Sequence, residues 1–521
     1  MSSLRSSGLL TILAKISDLL ATQKKQGYIV GGFIRDWLLK RKTNDIDIAV
    51  SGDAVTTARK VAKEIGGTFV LLDDVNKVAR VVVVEDEQPG KTARDQELRG
   101  IEWHFDFSSF AGDIRSDLAR RDFTINAMAV ELSQFVAAIT AAKMSSRKPA
   151  ATPAGKRPPL KLIDPFSGKQ DLRDKIVRKV SEQIFEADAA RLLRAVRLAA
   201  ELDFTIEPDT ESLIHRYSQA VTEVPGERTR EELLRLLALP RADYYVKYLD
   251  SLGLLLALIP ELAQGKGVEQ PTVHFWDVFE HSLQTVAAVE FLLRESDWEY
   301  SNEDMLSSAP WSDAIDKHLS QEVSSGSNHK VLLKLGALFH DIAKPMTKSI
   351  DDTGRARFLG HTNQGAAMTA GILGRLRFSN QEMGLVESLV YHHLRPVQMA
   401  NDDLPTQRAI YRYFRDTGEA GIDILLLALA DYLASRGPLA SMEEWRRHCR
   451  LVDYILTEHD RQQTRTLPVK LIDGDGIMHA FDLAPGPLIG KLLAVVNEAH
   501  ASGELSTAEE AFALVQRELE K

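Results

Sequence analysis

The sequence predicts an α/β N-terminal domain followed by an all-α remainder, and three observations carry that prediction. Residues 28–135 alternate β-rich runs (FVLLD, KVARVVVVE, IEWHFDF) with helical stretches such as DAVTTARKVAKEIGG. From about residue 180 onward, apolar residues recur at three- and four-residue intervals, as in EADAARLLRAVRLAAEL, TREELLRLLAL and VLLKLGALFHDIAK. Two polar stretches interrupt these patterns and read as insertions. Residues 139–161 carry only basic charges among Ala, Pro and Ser, and are expected to form a disordered loop before KLIDPF resumes the sheet. Residues 295–329 read as a long polar insertion on the surface.

Taken in order, SSGLLTILAKISDLLATQKK has helical apolar spacing with Asp18 inside it, which suits a packing helix and not a signal peptide. The run YIVGGFIRDWLLKRKTNDIDIAV (28–50) then joins an apolar strand, two glycines, a short helix and a second strand bearing Asp45 and Asp47. Residues i and i+2 of a strand face one side, so these carboxylates converge. Like charges that close repel unless a cation sits between them, and two Mg²⁺ ions would remove the conflict. Gly31 and Gly32 precede a helix start, where backbone N–H groups can meet phosphates. HFDF (104–107) supplies Asp106 as a third candidate carboxylate. DLARRDFTINAMAV (117–130) gathers Arg120 and Arg121, suited to triphosphate oxygens, with Asp122 and Asn126, suited to ribose hydroxyls.

The single cysteine, Cys449, excludes an internal disulfide and fits a reducing cytoplasm; it reads as a structural thiol on a helix. The longest apolar runs, LGLLLALIP and ILLLALA, are too short to span a bilayer, so no membrane partner is expected. Net charge is −10 (64 basic against 74 acidic side chains), which leaves nucleic-acid binding to local basic surface.

GGFIRD, NDIDIAV and RRDFTINAMA together resemble the head-domain motifs of the bacterial-type (class II) tRNA nucleotidyltransferase and poly(A) polymerase family, of polymerase-β-like fold. LIDPFSGKQDLRDKIVR resembles the end of that head, FEADAARLLRAVRLAAEL and PGERTREELLRLL its neck, and LIDGDGIMHAFDLAPGPLIGKLLAVVNEAHASGELSTAEEA its tail. The domains expected are a head at 1–178, a neck at 179–268, an HD region at 269–440 and a helical tail at 441–521. The resemblance implies that Asp45 and Asp47 are the catalytic Mg²⁺ ligands, with Asp106 assisting. Gly31, Gly32, Arg35, Arg120 and Arg121 would surround the triphosphate. Asp122 and Asn126 would hold the ribose. Asp188 and Arg191, expected at i and i+3 on one helical face, would select the base as a complementary strand does.

In the C-terminal half, WDVFEHSLQTV, ALFHDIAKP, FLGHTNQGA, YHHLRP and LADYLASRG bring His281, His340, Asp341, His361, His392, His393 and Asp431 into helical surroundings. Imidazoles with carboxylates suit borderline transition metals such as Mn, Ni or Fe. The series resembles a binuclear HD phosphohydrolase. Adjacent helical positions point about 100° apart, so His392 and His393 are not equivalent candidates.

The implied function is addition of CMP and AMP from CTP and ATP to the tRNA 3′ end, with HD phosphohydrolase activity beside it. The alternatives are a CC- or A-adding partial enzyme, a poly(A) polymerase, and a phosphohydrolase whose head only binds tRNA. Only SSFAGDIRSDLA separates HFDF from RRDF. That is short for the flexible loop which, in full CCA-adding enzymes of this family, switches the site from CTP to ATP, and such shortening resembles CC-adding enzymes.

Overall fold

The computed structural model describes residues 7–74, 76–85, 101–145, 160–271, 273–400, 404–464 and 471–520. They fall into two compact units, Met1–Ala220 and Val221–Lys521, so the division lies inside the expected neck.

Unit 1 is built on a seven-stranded sheet whose spatial order is β3-β4-β5-β2-β1-β6-β7. The strands are β1 (Gly27–Val30), β2 (Asp45–Ser51), β3 (Thr68–Asp73), β4 (Val78–Glu85), β5 (Ile101–Phe110), β6 (Ala129–Glu131) and β7 (Leu162–Ile163). Every neighbouring pair is antiparallel except β2 and β5, which run parallel at the centre. Their register sets Ile46 opposite Phe105 and Ile48 opposite Phe107, all fully buried. Each such side chain contributes about 1.5–3 kcal/mol by leaving water. Because side chains alternate, that same register leaves Asp45 opposite His104 and Asp47 opposite Asp106 on the other face. The apolar face thus dictates the polar one.

The helix α1 (Ser7–Thr22) buries Leu9, Leu13, Ile16 and Leu20, a stripe at helical spacing, as the packing-helix reading expects. The helix α2 (Gly32–Leu39) follows β1 directly. α3 (Ala54–Ile65) packs on the sheet, capped by Asp53, whose carboxylate accepts from the N–H groups of Val55 and Thr56. α4 (Ile114–Leu118) follows β5, and α5 (Leu132–Ser145) packs on β1, β6 and α1. α5 therefore extends into the stretch expected to be a disordered loop, and its residues 139–145 are helical. Residues 146–159 lie outside the described residues. KLIDPF resumes the sheet as β7.

Unit 2 is helical around Val278–Leu292, whose residues are buried on every face, as a central helix requires. It packs on His329–Phe339, Ala242–Ser251 and Gly421–Arg436. The region 295–329 departs from expectation. It folds into the helices Glu303–Ser308 and Asp313–Leu319 and a short hairpin, and buries Trp298, Met305, Ile315 and Leu319. Its sparse apolar residues are the ones that pack, which composition alone hides. Cys449 is buried on the helix Met442–Thr464. The last three helices have their own core of Ile477, Leu492, Val496, Ala511 and Val515 among others. Among the described residues no helix is long and apolar enough to cross a membrane.

Candidate functional site

The head-domain site stands on the polar face of β2 and β5. Asp45 is exposed and its Oδ1 lies 3.0 Å from His104 Nδ1, accepting when that nitrogen carries the proton, while His104 Nε2 sits 3.0 Å from Glu102. Asp47 is more deeply set. Burial raises its pKa, the Arg121 guanidinium opposes that rise, and the Asp106 charge adds to it. A carboxylate under such strain is one that a cation relieves, so the donor set fits Mg²⁺. Asp106 itself is held by Arg80 of β4 through two parallel bonds of 2.7 and 2.8 Å. The metal-facing carboxylate expected at this position is therefore engaged by a guanidinium.

Gly31 has φ 69°, and a Cβ there would lie 2.7 Å from Asp47 Oδ2 and 2.8 Å from an Arg121 nitrogen. Only glycine fits this approach. Arg120 and Arg121 both donate to Asp117, at 3.0 and 3.2 Å. Arg120 remains largely exposed, with 71% of its side chain accessible, and is the better placed of the two for a mobile anion. Arg35 is buried instead, and donates to both oxygens of Asp36 and to Asn126 Oδ1. In this geometry Arg35 fixes Asn126 and does not face an open site. Asn126 Nδ2 in turn donates to Asp122 Oδ1 at 3.1 Å, and Arg194 pairs with Asp122 Oδ2 at 2.7 Å. Burial works against the Asp122 charge, but Arg194, the Phe123 N–H and Asn126 outweigh it and hold the carboxyl below its usual range.

The base-reading pair is arranged differently from expectation. The helix Ile184–Ala187 ends at Asp188, whose backbone is extended (φ −159°, ψ 104°), and a new helix runs Arg191–Leu202. Asp188 and Arg191 are thus not i and i+3 on one helix. Asp188 Oδ1 accepts from the Ala190 N–H at 3.1 Å, ahead of the new helix start, and Arg191 donates to the carbonyls of Ile184 and Arg120.

The second site lies in unit 2. His281 Nε2 is 3.1 Å from His340 Nε2, 3.3 Å from Asp341 Oδ2 and 3.1 Å from Asp431 Oδ1. On the other side of the same carboxylate, His361 Nε2 and His393 Nε2 lie 3.5 and 3.8 Å from Asp341 Oδ1. Two donor groups, His281–His340–Asp341 and Asp341–His361–His393, therefore share Asp341. His340, His361 and His393 each direct Nδ1 at a backbone carbonyl three residues earlier, 2.7–2.8 Å away, which turns Nε2 inward. Burial and the neighbouring His340 charge push His393 down to about 3, while, against burial, the Asp341 and Asp431 carboxylates pull His340 up to about 10, so a metal bound there would displace the His340 proton. Asp341 Oδ1 and the inward nitrogen of His361 are buried without a hydrogen-bond partner, while Asp341 Oδ2 is paired with the Lys344 ammonium. Such groups are costly unless a cation completes them, so the residues fit a pair of metal ions. His392 belongs to neither group; it is half-buried and stands edge-on to Tyr391. Lys344, in ALFHDIAKP, joins the Asp341 carboxylate from three residues on.

Sequence reading missed His104, Arg80, Asp117, Arg194 and Lys344. A signal existed for Arg80, a lone charge inside the apolar strand KVARVVVVE, and for Lys344, one helical turn after Asp341.

The chain matches the family described as "Poly A polymerase head domain" over residues 27–178 and the "HD domain" over 278–436. Between them, residues 203–266 match the "Probable RNA and SrmB- binding site of polymerase A". It is 32% identical over 495 residues to the A-adding tRNA nucleotidyltransferase of Deinococcus radiodurans, covering 94% of each chain. The chain belongs to the tRNA nucleotidyltransferase family. This tRNA nucleotidyltransferase is also 30% identical to the CC-adding enzyme of Thermus thermophilus, over 94% of the chain and 93% of that relative. Its fold resembles the Thermotoga maritima CCA-adding enzyme solved with tRNA, at a TM-score of 0.55 and 20% identity over 98% and 95% of the two chains.

Proposed function

We propose that this tRNA nucleotidyltransferase acts in the cytoplasm, adding CMP residues from CTP to the 3′ end of tRNA and leaving the terminal adenosine to a second enzyme. One observation supports CC addition above all. Between Asp106 and Arg120 the backbone is fully occupied: β5 continues to Phe110, Gly112 turns at φ 74°, and α4 delivers Asp117 to hold both arginines. A connector this short and this tied leaves no lever there to reshape the site for ATP. The tRNA 3′-hydroxyl is the nucleophile, and pyrophosphate leaves. Asp45 and Asp47 would hold Mg²⁺, which acidifies the attacking hydroxyl and neutralises the departing charge. Arg120 meets the triphosphate from the exposed side, with Arg121 and the Gly31–Gly32 turn beside it. Asp122 and Asn126, fixed by Arg194 and Arg35, place the ribose. Asp188 and Arg191 select the base, Arg191 by exchanging a carbonyl partner for the ring.

The test incubates tRNA ending at its discriminator base with CTP and ATP together and reads the product at single-nucleotide resolution. A product halted at CC supports the proposal. Prompt CCA formation rejects it, and ATP addition to tRNA already ending in CC, without use of CTP, marks an A-adding enzyme instead.

The HD centre supports a second activity, metal-dependent hydrolysis of a phosphoester, because Asp341 is shared by two donor groups. A borderline transition metal such as Mn, Ni or Fe would supply the electrophile there. Hydrolysis of a 2′,3′-cyclic phosphate by chelator-treated protein, restored by Mn²⁺ or Ni²⁺, is the expected result; no turnover with any of these ions would reject it.

A further inference from the structure

Unit 2 holds another His–Asp cluster, away from Asp341, built on the region 295–329. His318 ends the helix Asp313–Leu319, His329 begins the helix His329–Phe339, and Asp423 lies in the first turn of Gly421–Arg436. His318 Nε2 is 2.7 Å from Asp423 Oδ2, and His329 Nδ1 is 3.0 Å from the same oxygen and 3.2 Å from Oδ1. One ligand atom from each residue falls within 4.8 Å of the others. Asp423 is fully buried, His329 is buried, and His318 keeps 13% of its side chain accessible. Beside them opens a polar cavity of about 470 Å³, lined by His329, Glu322, Gln381, Ser388 and Glu419 among others.

We propose that His318, His329 and Asp423 form a separate site for one divalent cation of the Zn²⁺, Co²⁺ or Ni²⁺ class. Two imidazoles and one carboxylate are the donor set such ions prefer over Mg²⁺, which seeks oxygen. A fully buried carboxylate faces two rings whose centroids are only 4.2 Å apart, so at most one ring carries an extra proton beside the other, and a single metal ion is the alternative counter-charge. A single ion answers the carboxylate and leaves both rings neutral. Bonds of about 2.0–2.1 Å in a tetrahedron set donors roughly 3.3 Å apart, so the two spacings to Asp423 Oδ2, 2.7 and 3.0 Å, need to open by about 0.6 and 0.3 Å. Three protein ligands leave a fourth position, and the adjoining cavity, reached on the His329 side, offers water to it, its Glu322 and Glu419 carboxylates disfavouring an anion. The ion would pin the His318 helix to the Gly421–Arg436 helix.

The experiment strips the full-length chain of metal and titrates it with Co²⁺, using Asp341→Ala as background to disable the HD centre. The expected result is one further equivalent of Co²⁺, about one per chain, with tetrahedral visible absorption and a raised melting temperature. His318→Gln and His329→Gln in that background should each abolish the equivalent and the absorption, while CTP incorporation is unchanged. His318→Gln sits at the accessible rim, so it decides the matter even where His329→Gln fails to fold. The proposal is overturned by Asp341→Ala protein that binds no stoichiometric Co²⁺, or by His318→Gln protein that binds as much as its parent.

Discussion

Asp45 and Asp47 could be read from NDIDIAV because a strand has period two, and no other partner was needed to set them on one face. Either Asp→Asn change should lower CTP incorporation by at least about a thousandfold while tRNA affinity changes little, since phosphate contacts elsewhere supply most of the affinity. Filter binding beside a single-turnover assay checks both, and substantial incorporation by the doubly neutralised protein would sink the assignment. Gly31→Ala meets both a positive φ and a contact of 2.7 Å with Asp47, so it should cost about 1–2 kcal/mol and disable addition together. Arg35 and Asp106 were not legible in the same way. Their residue types suit phosphate and metal, yet Asn126 and Arg80 claim them, and a partner on another strand has no local signature. Asp122 gives a test in pH. Its folded pKa is depressed, so its ionised pairing is fully present above the unfolded value of about 3.9 and is lost as pH falls through the folded value. Asp122→Asn should therefore destabilise unit 1 by about 1–3 kcal/mol at neutral pH. Urea titrations should find that gap constant down to about pH 4 and closing below it. A gap that widened on acidification would contradict the assignment.

At the scale of elements, apolar periodicity revealed which segments are helices and left their ends undecided. EADAARLLR reads as one helix, but the chain breaks at Asp188 and restarts at Arg191. The break frees Asp188 from a helical face and lets it accept the Ala190 N–H two residues on, a local turn that spacing cannot foresee. The helix Asn380–His392 ends in the same ambiguous manner. Its terminus settles which of two adjacent histidines turns inward, because His393 binds the Val390 carbonyl through Nδ1 and presents Nε2 to Asp341. His393→Ala should lower metal-dependent phosphohydrolase activity by about a hundredfold, with His392→Ala staying within about threefold of the parent. Equal losses in the two variants, measured against the same cyclic phosphate, would refute this division. Cys449 illustrates an element that was fully legible: a thiol on an amphipathic helix, buried, with its pKa pushed up to about 12 by burial. It should resist a disulfide reagent in native protein and react promptly in urea, and ready labelling of the native chain would show the helix to be loosely held.

For the molecule as a whole, motif order pointed to two candidate sites, and the residues of each fall within one compact unit. Asp341→Ala should remove phosphoester hydrolysis and leave CTP incorporation nearly intact, because the residues proposed for nucleotidyl transfer, Gly31 to Arg194, lie in the unit Met1–Ala220 and Asp341 in the other. Loss of both activities in a folded variant, as judged by circular dichroism, would defeat the separation. What motif order could not give was the sheet's connectivity. NDIDIAV and HFDF lie far apart in sequence yet form the one parallel pair at the sheet's centre, joined through everything between Ser51 and Ile101. That pairing carries a consequence for synthesis. At about 5–20 residues per second, the ribosome releases Asp45 and Asp47 several seconds ahead of Asp106. Parallel pairing cannot be completed until the later strand arrives, and the intervening β3–β4 excursion has to be accommodated first. A nascent chain thus carries both glycine and carboxylate motifs intact while its central sheet is still missing a strand. Completing the fifth strand is necessary but not sufficient, because Arg120, Asp122, Asn126, Asp188 and Arg191 of the proposed site are made after it.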